Sequence, residues 1–343
     1  MRPVITVFVV CFKIIFAHEV HESPDSWDYL NQDSWKETYP ACGGDRQSPI
    51  DFEDACFPHS VTKVNSSLSL HLNNYKFELP RNKVTLKNNG HTAKMSLADT
   101  TEPNDWSPNI RGTAVNNDVY QFNELHFHWD QNDTSGSEHS IHGSRQALEM
   151  HLVHWNTKYG FMAEAAKHAD GLAVLAVLFA PNVDENSKMS PIVDYLRDII
   201  EYDSKVEIEE TFTLRSLLPS SYQPFYRYKG SLTTPPCSQV VTWIVVTQVQ
   251  KIGYAQLNEF TKLDNRENRL VGNTNRKLQP LNGRIVEVSS DRHCKRREAK
   301  KSDKKKKMGY NVLQEIKAET TTQSPRSVWD FLPFNLGSLV FFA

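Results

Sequence analysis

Glu124-Leu125-His126-Phe127-His128-Trp129, read together with Glu149-Met150-His151-Leu152-Val153-His154, decides how this chain of 343 residues folds. Two histidines separated by one residue face the same way only where side chains alternate, on a β-strand. On such a strand Glu124, His126 and His128 share one face, while Leu125, Phe127 and Trp129 take the other and can enter a core. The second stretch alternates in the same manner, with Glu149, His151 and Val153 together. If the two strands are sheet neighbours, His126, His128 and His151 converge. Three neutral imidazoles, with no cysteine or fourth histidine on those faces, form the ligand set of a catalytic zinc with one position open to water. Cobalt would accept the same donors, and availability favours zinc. Glu124 and Glu149, each two residues before a ligand, stand where a carboxylate can accept the other ring N–H and fix its tautomer. A His-x-His pair alone is more often two half-exposed histidines; the third histidine, with its carboxylate, turns the reading toward a metal.

The composition, 39% hydrophobic and 23% charged, is that of a soluble globular protein. The formal charge of −2 hides an uneven distribution. Met1-Arg2-Pro3, the apolar run Val4–Val10 and Ile14-Ile15-Phe16-Ala17 read as a secretory signal peptide over residues 1–17, with Lys13 an imperfection. The mature chain then carries Cys42, Cys56, Cys237 and Cys294, an even number that allows three pairings. Two acceptor sequons, at Asn65 and Asn132, fit a secreted surface.

Residues 18–40 read as a polar arm pinned by Trp27, Tyr29, Trp35 and Tyr39. Val61–Leu72, Lys83–Asn88 and His91–Leu97 show the alternation of short antiparallel strands, with Asn88-Asn89-Gly90 as a hairpin turn. Gly171–Phe179 is continuously apolar and too short to span a bilayer, so it reads as a strand buried on both faces, and Val241–Val246 as another. A helix capped by Ser190 buries Ile192, Tyr195, Leu196 and Ile199, and a shorter one over Tyr254–Leu263 buries Leu257, Phe260 and Leu263. Many short strands and few helices predict a mainly β (α+β) class. The expected architecture is a single domain over residues 25–291, built around a large twisted, mostly antiparallel sheet with short peripheral helices. Beyond it, residues 292–327 are basic and polar, with Lys304-Lys305-Lys306-Lys307 at the centre, and read as a disordered tail. In a secreted chain with no nucleic-acid motif, anionic glycans or headgroups suit that run better than nucleic acid. The apolar end 328–343 after a polar spacer resembles a signal for a GPI lipid anchor, which would place the protein on the extracellular face of the membrane rather than free outside the cell.

His126-Phe127-His128-Trp129, Gly136-Ser137-Glu138-His139, Glu149-Met150-His151-Leu152-Val153-His154-Trp155-Asn156 and Gly230-Ser231-Leu232-Thr233-Thr234-Pro235-Pro236 resemble, in order and spacing, the α-class carbonic anhydrases, over about Trp27 to Val288. The resemblance implies zinc-dependent reversible hydration of carbon dioxide to bicarbonate and a proton by metal-bound hydroxide. It implies that Thr233 orients the nucleophile with its own proton accepted by Glu138, and that Thr234 lies near bicarbonate. Val153, Val174, Leu232, Val241 and Trp243 would line an apolar carbon dioxide pocket. His91 would pass the proton to buffer, as a histidine titrating near neutrality can. Tyr29 would sit at the cavity rim, and Cys42 would bond Cys237, leaving Cys56 and Cys294. His139 and His154 fall in motifs as structural residues that bind no zinc.

Three departures stand out. The family usually has glutamine where this chain has Glu124, asparagine where it has Lys94, and Asn-Trp-Arg where it has Thr274-Asn275-Arg276. A carboxylate on His126 should weaken the metal as a Lewis acid, an inward Lys94 should disfavour protonated His91, and the support of His128 from residue 274 is expected to weaken. Two other classes compete: a binding module that keeps the fold without the activity, and a matrix protein holding acidic polymers by its basic tail.

Overall fold

The computed structural model describes residues 27–53, 62–81, 83–98, 105–267 and 269–290. The signal segment 1–17, the basic tail 292–327, the apolar terminus 328–343, Cys56 and Cys294 lie outside them.

The strand Tyr120–Trp129 runs antiparallel to Leu148–Asn156 on one side and to Ala93–Leu97 on the other. These belong to a mixed sheet of 13 strands, whose path runs Lys205–Glu207, Val84–Asn88, Ala93–Leu97, Tyr120–Trp129, Leu148–Asn156, Leu172–Asn182, Val241–Val246, Phe225–Gly230, Val286–Val288, Thr62–Val64. Most neighbours are antiparallel; Leu172–Asn182 pairs in parallel with Val241–Val246, and Val286–Val288 with Thr62–Val64. The fold is mainly β with short helices at its edge, as the alternation predicts.

Leu172–Asn182 explains why the sheet is buried on both sides. Ala173, Leu175, Val177 and Phe179 enter one apolar cluster, with Leu125, Phe127 and Leu152, while Leu172, Val174, Ala176 and Leu178 enter the opposite cluster, with Val153, Val241 and Trp243. A strand with apolar residues at every position satisfies both layers at once.

Two sequence expectations are corrected. Val61–Leu72 is not one strand: Thr62–Val64 and His71–Asn73 are separate, because Asn65 Oδ1 accepts from the backbone N–H and hydroxyl of Ser67 and turns the chain. The helix expected from Ser190 is broken into Ser190–Val193 and a 3₁₀ turn Leu196–Ile199, and Ser190 lies inside its first turn rather than capping it. The apolar face is nonetheless used, since Ile192, Leu196 and Ile199 are buried. Tyr254–Phe260 is helical, with Leu257 and Phe260 buried and Leu263 following.

The hairpin between Val84–Asn88 and Ala93–Leu97 is built by its asparagines. Asn88 Oδ1 accepts from Gly90 N–H, and Asn89 Oδ1 from the N–H groups of His91 and Thr92. Gly90 has φ +83°, and an added Cβ would sit 2.8 Å from the Tyr202 ring. Thr92 then donates its hydroxyl to Phe127 O (2.6 Å), tying the turn that carries His91 to the strand that carries His126 and His128.

Candidate metal centre

The register does the convergence. His126 faces His151 directly across the two strands, His128 faces Glu149, and Glu124 faces Val153. A bulge at Asn123 shifts the pairing between Phe122 and Glu124. Its effect is to let Phe122 join Leu125 and Phe127 in the core while Glu124, His126 and His128 take the opposite face.

Each ring has one nitrogen fixed and one turned to the common point. His126 donates from Nδ1 to Glu124 Oε1 at 3.2 Å, and His128 from Nδ1 to the carbonyl of Thr274 at 2.5 Å. His151 donates from Nε2 to Glu149 Oε1 at 2.6 Å. The ligand atoms of these three histidines lie within 4.8 Å of one another, and His151 Nδ1 is 3.3 Å from His126 Nε2. The support of His128 from residue 274 is therefore present, contrary to the expectation drawn from Thr274-Asn275-Arg276: the contact is to a carbonyl, which any side chain preserves.

Burial is the largest influence on His128 and His151 and pushes both imidazoles below the ordinary histidine range, with neighbouring histidines adding to it. Neutral rings are what a metal requires. Among the described residues, Nε2 of His128 and Oε2 of Glu138 are buried polar atoms without a hydrogen-bond partner, 3.4 Å apart. Such orphans are rare in folded proteins. An imidazole nitrogen aimed at two others and left unsatisfied fits a cation, and three nitrogen donors fit zinc.

Glu138 is held by its other oxygen, which accepts the backbone N–H of Arg276 at 2.9 Å. Its segment passes close to Leu148–Asn156 at Gly136, where an added Cβ would come 1.9 Å from the carbonyl oxygen of Ala147. The direct Thr233–Glu138 hydrogen bond expected from sequence is not formed; Thr233 is buried in the loop between Phe225–Gly230 and Val241–Val246. That loop is anchored by the Cys42–Cys237 disulfide, by Leu232 N–H to Ser238 O (3.0 Å) and by Trp243 Nε1 to Ser231 O (3.0 Å). Thr234 shares it, its carbonyl accepting Cys237 N–H at 2.8 Å.

The apolar candidates come together. Val153, Val174 and Trp243 form one row across three strands, and with Val241 they belong to one buried cluster on whose margin Leu232 packs. The indole of Trp243 lies 4.7 Å from the ring of His151, so this cluster abuts the histidines. Tyr29 packs edge-on to Trp27 and Trp35, and burial, then the charge of Glu138, hold its hydroxyl well above the ordinary range. His91 stacks on Trp27. Lys94 does not stand free beside His91: its ammonium is 3.1 Å from Glu124 Oε2.

His154 sits on the core face, bonded to Tyr75 Oη (2.5 Å) and to Ala173 O (3.3 Å), and burial holds it near 3. His139 donates from Nδ1 to the same Glu149 Oε1 that His151 uses, at 2.6 Å, and its Nε2 lies 2.7 Å from Tyr228 Oη. His139, Glu149 and His151 thus form a closed hydrogen-bonded group. Sequence reading missed two contributors here. Tyr228 continues this group toward Ser48, and Arg276, almost fully buried, donates to Gln47 Oε1, Ser48 O and Cys42 O, bracing the segment beside the disulfide. An arginine in a strandless polar stretch gives no periodic signal, and only its hydrogen bonds to Gln47, Ser48 and Cys42 in the fold reveal it.

A large mixed sheet presenting three histidines, each with one ring nitrogen held by a hydrogen bond, beside an apolar wall is the arrangement of a mononuclear metal centre. A profile of the eukaryotic-type carbonic anhydrases matches residues 30–290. Carbonic anhydrase 6 from Bos taurus is 35% identical over 82% of this chain and 84% of its own length. Carbonic anhydrase 15 from Mus musculus is 35% identical over 83% and 89%, and carbonic anhydrase 6 from Homo sapiens 37% over 76% and 82%. The chain belongs to the eukaryotic-type carbonic anhydrase family, enzymes that reversibly hydrate carbon dioxide with zinc.

Proposed function

We propose that this chain hydrates carbon dioxide at a zinc held by His126, His128 and His151, outside the cell. The observation that carries it is the set of three ring nitrogens, His126 Nε2, His128 Nε2 and His151 Nδ1, left pointing at one another while the opposite nitrogen of each is hydrogen-bonded. Zinc supplies a Lewis acid that makes water nucleophilic near neutral pH, chemistry for which carbonic anhydrase is itself the standard example.

The protein's own groups bind, orient and move protons. Val153, Val174, Leu232, Val241 and Trp243 offer an apolar wall whose one side-chain donor, Trp243 Nε1, is already committed to Ser231 O, suited to a substrate with no dipole. Thr233 orients the attacking oxygen, with its hydroxyl proton directed to Glu138 on ligand binding, and Thr234 holds the bicarbonate product. Glu138 Oε2, buried and unpartnered, is the acceptor kept available for that proton. Glu149 and Glu124 fix the rings of His151 and His126. His91 collects the product proton at its imidazole and releases it at the rim, beside Tyr29.

The Cys42–Cys237 bridge supports an oxidising, extracellular compartment, consistent with removal of residues 1–17 as a signal. Asn132 is exposed and open to glycosylation, whereas the Asn65 amide donates to Glu287 Oε1 at 2.7 Å. Among the described residues no helix is long and apolar enough to cross a membrane. The apolar end 328–343 suits a signal for attachment of a GPI lipid anchor, and the basic stretch 292–327 suits anionic glycans.

Stopped-flow carbon dioxide hydration by the purified chain, before and after chelation and zinc restoration, tests the reading. Activity should vanish with the metal and return with it. A folded, zinc-loaded chain without hydration activity would overturn the proposal in favour of a binding module.

A further inference from the structure

The three ligands are supported in three different ways. His128 leans on a buried backbone carbonyl, and His151 on a buried carboxylate that a second imidazole, His139, also contacts. His126 alone leans on a carboxylate at the edge of solvent, with the Glu124 side chain 17% exposed. That carboxylate is divided: Oε1 takes the His126 N–H at 3.2 Å and Oε2 takes the Lys94 ammonium at 3.1 Å. The placement is written in the sheet. Lys94 is the cross-strand neighbour of His126, and Ser96 that of Glu124, so Lys94 reaches Glu124 along the diagonal of one face. Both residues are the charged substitutions for uncharged residues noted in the sequence, and here they prove to be partners.

We propose that Lys94 is a positioning residue that acts through Glu124 on His126, the two charges forming one unit that sets how tightly the zinc is held. The lysine fixes the carboxylate in the orientation His126 needs and cancels its charge, so the ring meets an acceptor close in effect to a neutral amide. Neither charge serves the site alone. A lone ammonium there would repel a bound dication, and a lone carboxylate would regain its full charge but lose its aim at the imidazole.

The inference rests on His126 being a zinc ligand, and a double-mutant cycle on the full chain separates the two claims. Zinc dissociation constants are measured by competition with a chelator of known affinity for the wild type, Lys94→Asn, Glu124→Gln and the double variant, with circular dichroism to establish that each is folded. Glu124→Gln keeps an amide acceptor for His126 but leaves the Lys94 ammonium unopposed beside the metal, and should weaken zinc by roughly tenfold or more. Lys94→Asn alone should change it by no more than about twofold, because the unanchored carboxylate loses its aim at His126 as it regains its full charge. Added to Glu124→Gln, the same Lys94→Asn should recover roughly tenfold of the loss, a coupling of the size seen between contacting charges. A purely structural lysine would not be rescued by changing its partner. If Lys94→Asn changes affinity by the same factor in both backgrounds, the pair is overturned while the metal centre stands. A wild-type chain that binds no zinc overturns the metal centre and the pair together.

Discussion

The imidazole of His91 lies flat on the indole of Trp27, with ring centroids 3.9 Å apart and planes 9° from parallel. Burial against this surface pushes the His91 pKa below its ordinary value, and the carboxylate of Asp28 only partly opposes it. Trp27→Ala should uncover the ring and raise its pKa toward the ordinary value of about 6.5. The sign for stability follows. A histidine with a depressed folded pKa contributes stability above its unfolded value and loses it as pH falls toward the folded one, so wild type should lose more stability than Trp27→Ala on acidification through that window. Histidine ring proton resonances followed against pH check it; a midpoint unchanged or lowered in the variant would show that the stack does not set the titration.

Thr274 holds the strand carrying His126 and His128 by more than its carbonyl. Its hydroxyl accepts the backbone N–H of Trp129 at 2.7 Å, next to His128 in sequence, and all these atoms are buried. Thr274→Val keeps the side-chain volume but strands that N–H, at a cost of about 1–3 kcal/mol. Urea denaturation of the zinc-free chain should record that loss, and zinc should bind roughly tenfold more weakly as the carbonyl under His128 shifts. A variant as stable as wild type would mean that the N–H finds another partner.

The shared face of Glu124, His126 and His128 was legible because a period of two is a strong signal, whereas the register that sets His126 opposite His151 is supplied by the sheet. The continuous apolar run at Leu172–Phe179 was equally readable, since burial on two faces leaves no polar position. The bulge at Asn123 was not. Phe122 and Glu124 are both even-numbered and would share a face in a regular strand, and nothing in residue type announces the inserted residue that separates them. The broken helix after Ser190 failed for a similar reason, because its apolar spacing suits an α-helix and a 3₁₀ turn alike. Pairings between distant segments, such as Lys94 with Glu124 or Arg276 with Gln47, were invisible until the sheet placed them together.

The disulfide joins segments 195 residues apart and pins the loop that carries Thr233. Replacing Cys42 and Cys237 by serine frees the unfolded chain over that length, and the closed loop is long enough for the entropic effect to reach about 4–5 kcal/mol. The expected outcome is a lower urea midpoint together with slower hydration at unchanged zinc content, because the histidines lie on other elements. A loss below about 1 kcal/mol would argue that the aromatic arm of Trp27, Tyr29 and Trp35 holds the two segments without the bridge.

Tyr228 closes the buried group behind His151. Its hydroxyl lies 2.7 Å from His139 Nε2 and 2.8 Å from Ser48 Oγ, and His139 in turn shares Glu149 Oε1 with His151. Tyr228→Phe removes one oxygen and leaves the ring, so packing against Trp243 and Phe52 persists. Ser48 Oγ still bonds Ser231 N–H at 3.1 Å, but His139 Nε2 loses its partner. The variant should lose about 1–3 kcal/mol for the unsatisfied buried nitrogen. If His139 is what keeps Glu149 aimed at His151, zinc release into excess chelator should also accelerate several-fold, within the range for outer partners of a ligand. Reduced stability with an unchanged release rate would instead mean that Glu149 is held by His151 and by the His139 backbone N–H, which it accepts at 2.8 Å, and that the tyrosine serves the fold alone.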